Sequence, residues 1–237
     1  MQAAVIKHRI AAAAAARYQL SGRFAYHFAK GKLGHDPIFV AILAHALIPS
    51  RSRILDLGCG QGLLAAWLIA AAQYRQSNEW CPEWPEPPNE WIYRGIEIMP
   101  KEVTRAKNAL MQKASVECDD IRSAVFGDAD VVVILDVLHY MNIDSQVSVL
   151  RQARAALPAS GALLLRVGDA SAGWRFRFSQ WVDQSVLLSR GHGWVRLHCR
   201  SIEGWMKLLE KLGFTSTAVP LIDGTPFANV LLVARLK

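Results

Sequence analysis

Acidic side chains are almost missing from the start of this chain. Residues 1–53 carry Asp36 alone against eight bases, Lys7, Arg9, Arg17, Arg23, Lys30, Lys32, Arg51 and Arg53. The rest of the 237 residues balances, nineteen bases against nineteen acids, so the formal net charge of +7 belongs to an N-terminal arm. The basic excess therefore does not belong to the body. It favours an anionic partner for the arm: a membrane surface, a nucleic acid or an acidic protein. A solvated basic face is the alternative.

Cysteine is scarce as well. Cys59, Cys81, Cys118 and Cys199 form no CxxC pair and no zinc-type spacing, which points to reduced thiols in a cytoplasmic protein. No run of about 18 uncharged apolar residues occurs, so no membrane-spanning helix is expected, and any membrane contact would be peripheral. The segment Ile10 to Ala16 is short, mostly alanine and closed by Arg17, so it does not read as a secretory signal. No internal repeat is visible. With 52% apolar and 20% charged residues, a packed core is expected, and the length suits one sizeable α/β domain.

What is present is a regular alternation of strand and helix patterns. Residues 3–20 have the propensity of an alanine-rich helix, and 22–34 form a basic, aromatic stretch. Asp36 and Pro37 can open a helix that fills Ile38 to Ile48 and stops at Pro49. Strands are read at Ile54–Leu57, Tyr93–Ile98, Ser115–Cys118, Ala129–Leu135, Ala162–Val167, Phe214–Val219 and Ala228–Leu236. Helices are read from Leu63 to about Tyr74, Pro100 to about Lys113, about Ser145 to Leu157, and from the Ser201 cap to Gly213. The first half of 168–199 is read as helical. Residues 77–90 form a long, acidic loop rich in proline and tryptophan, either a variable insertion or a docking loop for a partner or for the basic arm. The resulting division is an arm and cover over 1–50 and an α/β domain over 51–237.

The centre of the pattern is Ile54-Leu-Asp-Leu-Gly-Cys-Gly-Gln-Gly62. A buried strand running into a glycine-rich turn and a helix N-terminus is the nucleotide-binding corner of a doubly wound sheet. A dinucleotide fingerprint would need a glycine where Leu63 stands. Asp56, at the end of the first strand, would meet a pyrophosphate as a like charge, whereas it suits a cationic ligand such as S-adenosylmethionine. Glu97, ending the second strand, can accept both ribose hydroxyls. Asp120 after the third strand can accept from an adenine amino group, with Ile121 packing on the ring. Three acids at three successive strand ends are more specific together than the glycines alone.

These residues carry a resemblance. The first motif, with Gly95-Ile-Glu-Ile98, Cys118-Asp-Asp-Ile121 and Asp130 to His139, is similar to the successive motifs of class I S-adenosylmethionine-dependent methyltransferases, over about residues 36–237. The resemblance implies a Rossmann-like α/β fold, a seven-stranded sheet of order 3-2-1-4-5-7-6 with strand 7 antiparallel and helices on both faces. It implies cofactor contacts at Asp56, Gly58, Cys59, Gly60, Glu97, Ile98, Asp120, Ile121 and Asp136. Gly31-Lys-Leu33, Asp136 to Tyr140, Arg166 to Ala170 and Gly224 to Asn229 more narrowly resemble bacterial methyltransferases of aryl-polyene pigment pathways. The proline-rich loop departs from the compact family pattern.

Methyl transfer needs an in-line approach, exclusion of water and, for a hydroxyl acceptor, removal of a proton. His139, just past strand 4 and three residues after Asp136, is the leading base candidate; a backbone-bonded or cofactor-stacking role is the alternative. His192 in Gly191-His-Gly193 is a second, or a surface-loop histidine. Asp169 past strand 5 can orient a base or substrate, or simply form a turn. Lys32 or Arg23 can reach the methionine carboxylate, or remain surface charge. Trp174, Phe176, Phe178, Trp181 and Trp194, within a substrate-facing insertion over 170–200, would suit an aromatic or lipid-like acceptor, or serve core packing instead. The reading is small-molecule O-methylation of an aromatic or carrier-bound polyketide-like acceptor, with the arm docking an acidic carrier protein or an anionic membrane. An NAD-dependent oxidoreductase and a non-catalytic S-adenosylmethionine-binding scaffold are the alternatives.

Overall fold

The computed structural model describes residues 2–77, 79–170, 173, 197–221 and 229–237. The helix expected early in 168–199, His192, the five aromatic residues from Trp174 to Trp194 and the turn at 223–226 lie outside the described residues. Seven strands form one sheet of order β3-β2-β1-β4-β5-β7-β6. This is the order and mixed polarity of the expected Rossmann-like fold. The chain divides into two compact units, one ending at Val125 and the other beginning at Phe126.

The first unit opens with α1 (Gln2–Ala16), which buries Ile6, Ile10, Ala14 and their neighbours at helical spacing. After a 3-10 turn at Gln19–Ser21, α2 runs Arg23–His35. It starts at Gly22, whose φ of +100° supplies the reversal between the two helices. Its register comes from Ala25, Ala29 and Leu33, each fully buried at intervals of four. Helix α3 (Pro37–Ala44) is capped as expected, Asp36 Oδ1 accepting from Ile38 N at 3.0 Å. It ends four residues before Ile48, because Ala46 turns left-handed (φ +47°) and Leu47 N–H reaches back to Ile42 O at 3.0 Å. This reversal buries both Leu47 and Ile48.

Strands β1 (Arg53–Leu57), β2 (Ile92–Glu97) and β3 (Ser115–Cys118) pair in parallel. Between them run α4 (Leu63–Gln76), whose first nine residues are all buried, and α5 (Pro100–Leu110), which the positive φ of Met111 terminates. Asp56 is in register with Gly95, and Glu97 with Cys118, so these acids reach the carboxyl ends of their strands. The Trp/Pro-rich loop lies against its own unit. Glu79 pairs with Arg9 of α1, Glu86 with Arg75, and Glu90 with Arg51.

In the second unit, β4 (Val131–Leu135) is a β-branched run buried through Ile134. Helix α6 (Ile143–Ala156) is capped by Asn142, which accepts from Ser145 N at 2.8 Å. Strand β5 (Ala162–Gly168) pairs in parallel with β4 and antiparallel with β7 (Asn229–Leu236). Helix α7 (Ile202–Lys211) has the expected Ser201 cap and leads through Gly213 (φ +87°) into β6 (Phe214–Pro220), which also pairs antiparallel with β7.

Candidate functional site

The turn after β1 is built from three glycines in the left-handed region, Gly58 at φ +73°, Gly60 at +56° and Gly62 at +75°. Other L-residues pay for this conformation, which accounts for the alternate spacing. Gly62 is doubly constrained, since a Cβ there would stand 2.6 Å from Leu110 Cδ1. The loop amides are turned inward. Gly58 N and Cys59 N donate to Ile96 O at 2.8 and 3.2 Å, and Gly62 N to Cys59 O at 2.9 Å. Gly60 N donates to Glu97 Oε2 at 2.9 Å. A phosphate cradle needs such amides pointing at the ligand, and in this loop four of five serve the protein itself.

Asp56 sits directly below the loop, 4% exposed, and accepts a 2.6 Å hydrogen bond from Tyr93 Oη. Burial raises its carboxyl to about 7, with Glu97 adding to the rise and Tyr93 opposing it. Burial likewise pushes the Tyr93 hydroxyl and the Cys59 thiol well up, so the thiol stays protonated. Cys59 lies over Gly95, where a Cβ would meet its Sγ at 2.6 Å. The second Glu97 oxygen accepts from Met99 N at 2.9 Å. Each carboxylate oxygen has two acceptor sites, so a pair of hydroxyls can still be accepted. Two buried carboxyls, Asp56 and Glu97, thus stand close enough to interact at the carboxyl ends of β1 and β2, beside the glycine turn.

Other residues expected at the cofactor stand in more local roles. Asp120 accepts a forked interaction from Arg122, which holds its carboxyl below the usual range. Ile98 is 56% exposed, an apolar surface open to a flat ligand, whereas Ile121 is 4% exposed and belongs to the core. Lys32 pairs with Asp36 at 2.9 Å, and Arg23 is exposed at the start of α2.

Sequence reading missed three side chains of this unit. Tyr18 Oη donates to Gln61 O at 2.8 Å, and Gln61 Nε2 donates to Ala25 O at 3.1 Å, so the glycine loop is latched to the N-terminal helices. Gln61 is 1% exposed and its Oε1 has no partner among the described residues. The third is Tyr93. Its signal lies in the strand pairing: Ile54 faces Tyr93 and Asp56 faces Gly95. Tyr93 and Asp56 therefore share a face, and Gly95 carries no side chain to separate them.

In the second unit, Asp136 follows β4 with φ +59° and pairs with Arg166 of β5, Arg166 Nε donating to Oδ1 at 2.8 Å. His139 lies in a 3-10 turn, Leu138–Tyr140, its ring 4.0 Å from that of Tyr140. Burial lowers its imidazole below the ordinary value, Asp136 opposing and Arg166 reinforcing that effect. The fully buried Gln146 holds this turn in place: its Nε2 shares two N–H groups among Leu138 O, Met141 O and His198 O at 3.1, 3.2 and 2.7 Å. Asp169 accepts from Ile202 N at 3.4 Å, in the turn role.

The sheet order and the acid-lined glycine corner define a Rossmann-like domain for an adenosyl cofactor. A family model described as a methyltransferase domain matches residues 27–219, and the chain belongs to this family of S-adenosylmethionine-dependent methyltransferases. The chain is 29% identical over 170 residues to carboxy-S-adenosyl-L-methionine synthase from Actinobacillus succinogenes, a match covering 69% of this chain and 62% of that protein. An O-methyltransferase family 2 protein from Planctomyces limnophilus, solved with apigenin, aligns at TM-score 0.64 and 15% identity, over 94% of this chain and 62% of that one. Magnesium protoporphyrin IX methyltransferase from Synechocystis, solved with bound S-adenosylhomocysteine, aligns at TM-score 0.59 and 16% identity, over 98% and 99%. At these identities the two structures establish the fold. The chain thus spans well under the full length of the synthase and of the apigenin-bound protein.

Proposed function

We propose that the protein transfers a methyl group from S-adenosylmethionine to a small-molecule acceptor, by O-methylation of an aromatic or carrier-bound polyketide-like compound. The observation that carries the cofactor half is the pairing of buried Asp56 with an inward-turned glycine loop. That loop withholds its amides from a pyrophosphate, and Asp56 of β1 beneath it offers a carboxyl group to a cation, which disfavours the NAD-dependent reading. Bound there, the cofactor supplies an electrophilic methyl group on a sulfonium. Asp56 would hold the ammonium, Glu97 the ribose hydroxyls, and Ile98 would lie against the adenine.

On the acceptor side, His139 is the proposed proton acceptor for a hydroxyl. Burial favours its neutral imidazole, the form a general base needs, and also weakens it as a proton acceptor, with the Asp136 charge opposing that loss. Support for the acceptor class comes from small-molecule methyltransferases of the same fold, such as the apigenin complex. The motifs similar to aryl-polyene enzymes point the same way.

Calorimetry with S-adenosylmethionine, S-adenosylhomocysteine and NAD tests the cofactor half. Binding of the first two, weakened in Asp56→Ala and Glu97→Ala, is expected; affinity indifferent to both substitutions would remove the site. A labelled-methyl transfer screen over phenols and carrier-bound acyl chains tests the rest. Tight cofactor binding without transfer to any acceptor would leave the scaffold reading in its place.

A further inference from the structure

Residues 17–35 contain no acid, and the outward side of α2 is both basic and aromatic. Ala25, Ala29 and Leu33 fix the inner side. Helical geometry then sets Lys30, Arg23 and His27 on one flank of the outer side, with Phe24 and Phe28 on the other. Immediately before the helix, Leu20 in the 3-10 turn is 93% exposed, and Phe24 is 59% exposed. Two large apolar side chains this open, beside cations and with no acid among them, match an interfacial amphipathic segment.

Most other bases of the arm are already engaged. Arg9 pairs with Glu79 and lies 5.0 Å from the Tyr74 ring centroid. Arg17 Nε donates to Ala109 O, Lys32 meets Asp36, and Arg51 meets Glu90. Among the described residues, neither Arg23 nor Lys30 has an ion-pair partner. The positive charge left facing outward on this segment therefore coincides with the exposed apolar side chains.

We propose that the Leu20–Lys30 face docks the protein on an anionic lipid surface. Leu20 and Phe24 enter the interfacial layer, while Arg23 and Lys30 meet headgroup phosphates. Charge complementarity selects an anionic partner, and the apolar pair selects lipid among anionic partners. Leu20 would add nothing to an ion-paired contact in water. Base stacking on Phe24 is restricted, since the Arg105 guanidinium carbon stands 4.8 Å from its ring centroid and Phe28 is stacked at 6.1 Å. Its outer edge remains able to enter hydrocarbon.

Co-sedimentation of the full chain with vesicles tests this, using phosphatidylcholine alone and an equal mixture with phosphatidylglycerol. Binding to the mixed vesicles and not to the neutral ones is expected. Arg23→Gln with Lys30→Gln should lower that binding roughly 25-fold, about five-fold per charge, and high salt should erase the difference. Leu20→Ser with Phe24→Ser should lower it by at least about ten-fold at either salt concentration. Circular dichroism melting checks that each variant folds. The proposal is overturned by equal binding to neutral vesicles, by no vesicle binding, or by wild-type affinity in both variants. Capture by single-stranded RNA or polyglutamate in place of vesicles overturns it too.

Discussion

Because burial raises the Asp56 carboxyl to about 7, cofactor affinity becomes linked to protons. A bound ammonium favours the carboxylate, so binding at pH 6 should release up to one proton, falling toward zero by pH 8. Calorimetry in two buffers of different ionisation enthalpy reads this number, and Asp56→Asn should show none of it. The sign for folding runs the other way. The folded state keeps a proton that the unfolded chain has already lost, so this residue's contribution falls as pH rises from about 4 through 7. The swing is on the order of 3–4 kcal/mol. Urea denaturation should accordingly show Asp56→Asn gaining on wild type as pH rises. His139 has the opposite linkage, since its lowered pKa removes stability as pH falls below the ordinary histidine value of about 6.5. His139→Gln should reduce kcat by roughly 10²–10⁴-fold while leaving cofactor affinity unchanged. Undiminished turnover would exclude His139 as the base. Chemical type and strand position made Asp56 and Glu97 legible in the sequence. Tyr93 was not, because its partner is set by cross-strand register, which no local pattern records.

At the level of elements, hydrophobic periodicity located every described strand and most helices to within a few residues. Helix α2 was the exception. Residues 22–34 read only as a basic, aromatic stretch, and the stripe that makes the helix is only Ala25, Ala29 and Leu33. Two alanines give a weak apolar signal, yet small side chains are what let α2 pack closely against α1. Tertiary packing overrides the intrinsic cost of glycine here. That cost should be recoverable: a Cβ at Gly34 meets nothing within 4 Å and its φ is not positive. Gly34→Ala should therefore raise stability by about 0.5–1 kcal/mol, read as a higher urea midpoint with an unchanged m-value. Gly62→Ala should do the reverse, combining a strained φ with a 2.6 Å approach to Leu110. Loss of both stability and cofactor binding is expected there, because the same residue ends the glycine loop and starts α4. A neutral Gly62→Ala would mean that the loop's geometry is less demanding than its three positive φ values indicate.

On the scale of the whole chain, the charge asymmetry read from the sequence acquires a different meaning once partners are assigned. Arg9 and Arg51 hold the acidic Trp/Pro loop, so part of the basic excess serves internal packing and not an external ligand. Elsewhere in the N-terminal region, Tyr18 and Ala25 are joined to the glycine loop through Gln61. Cofactor binding should consequently stabilise more than the loop it touches. A ligand that binds only the folded state adds RT ln(1 + [L]/Kd), about 2.7 kcal/mol at a hundredfold excess over Kd. Hydrogen exchange with S-adenosylhomocysteine should show slower exchange at residues 56–62 and 93–99, and also across residues 18–30, which the Tyr18–Gln61 latch ties to the loop. Tyr18→Phe removes one strut of the latch and should uncouple the two regions, retaining ligand protection at 56–62 while losing most of it across 18–30. Equal protection of both segments in wild type and Tyr18→Phe would assign the coupling to helix packing and not to the Tyr18–Gln61 bond.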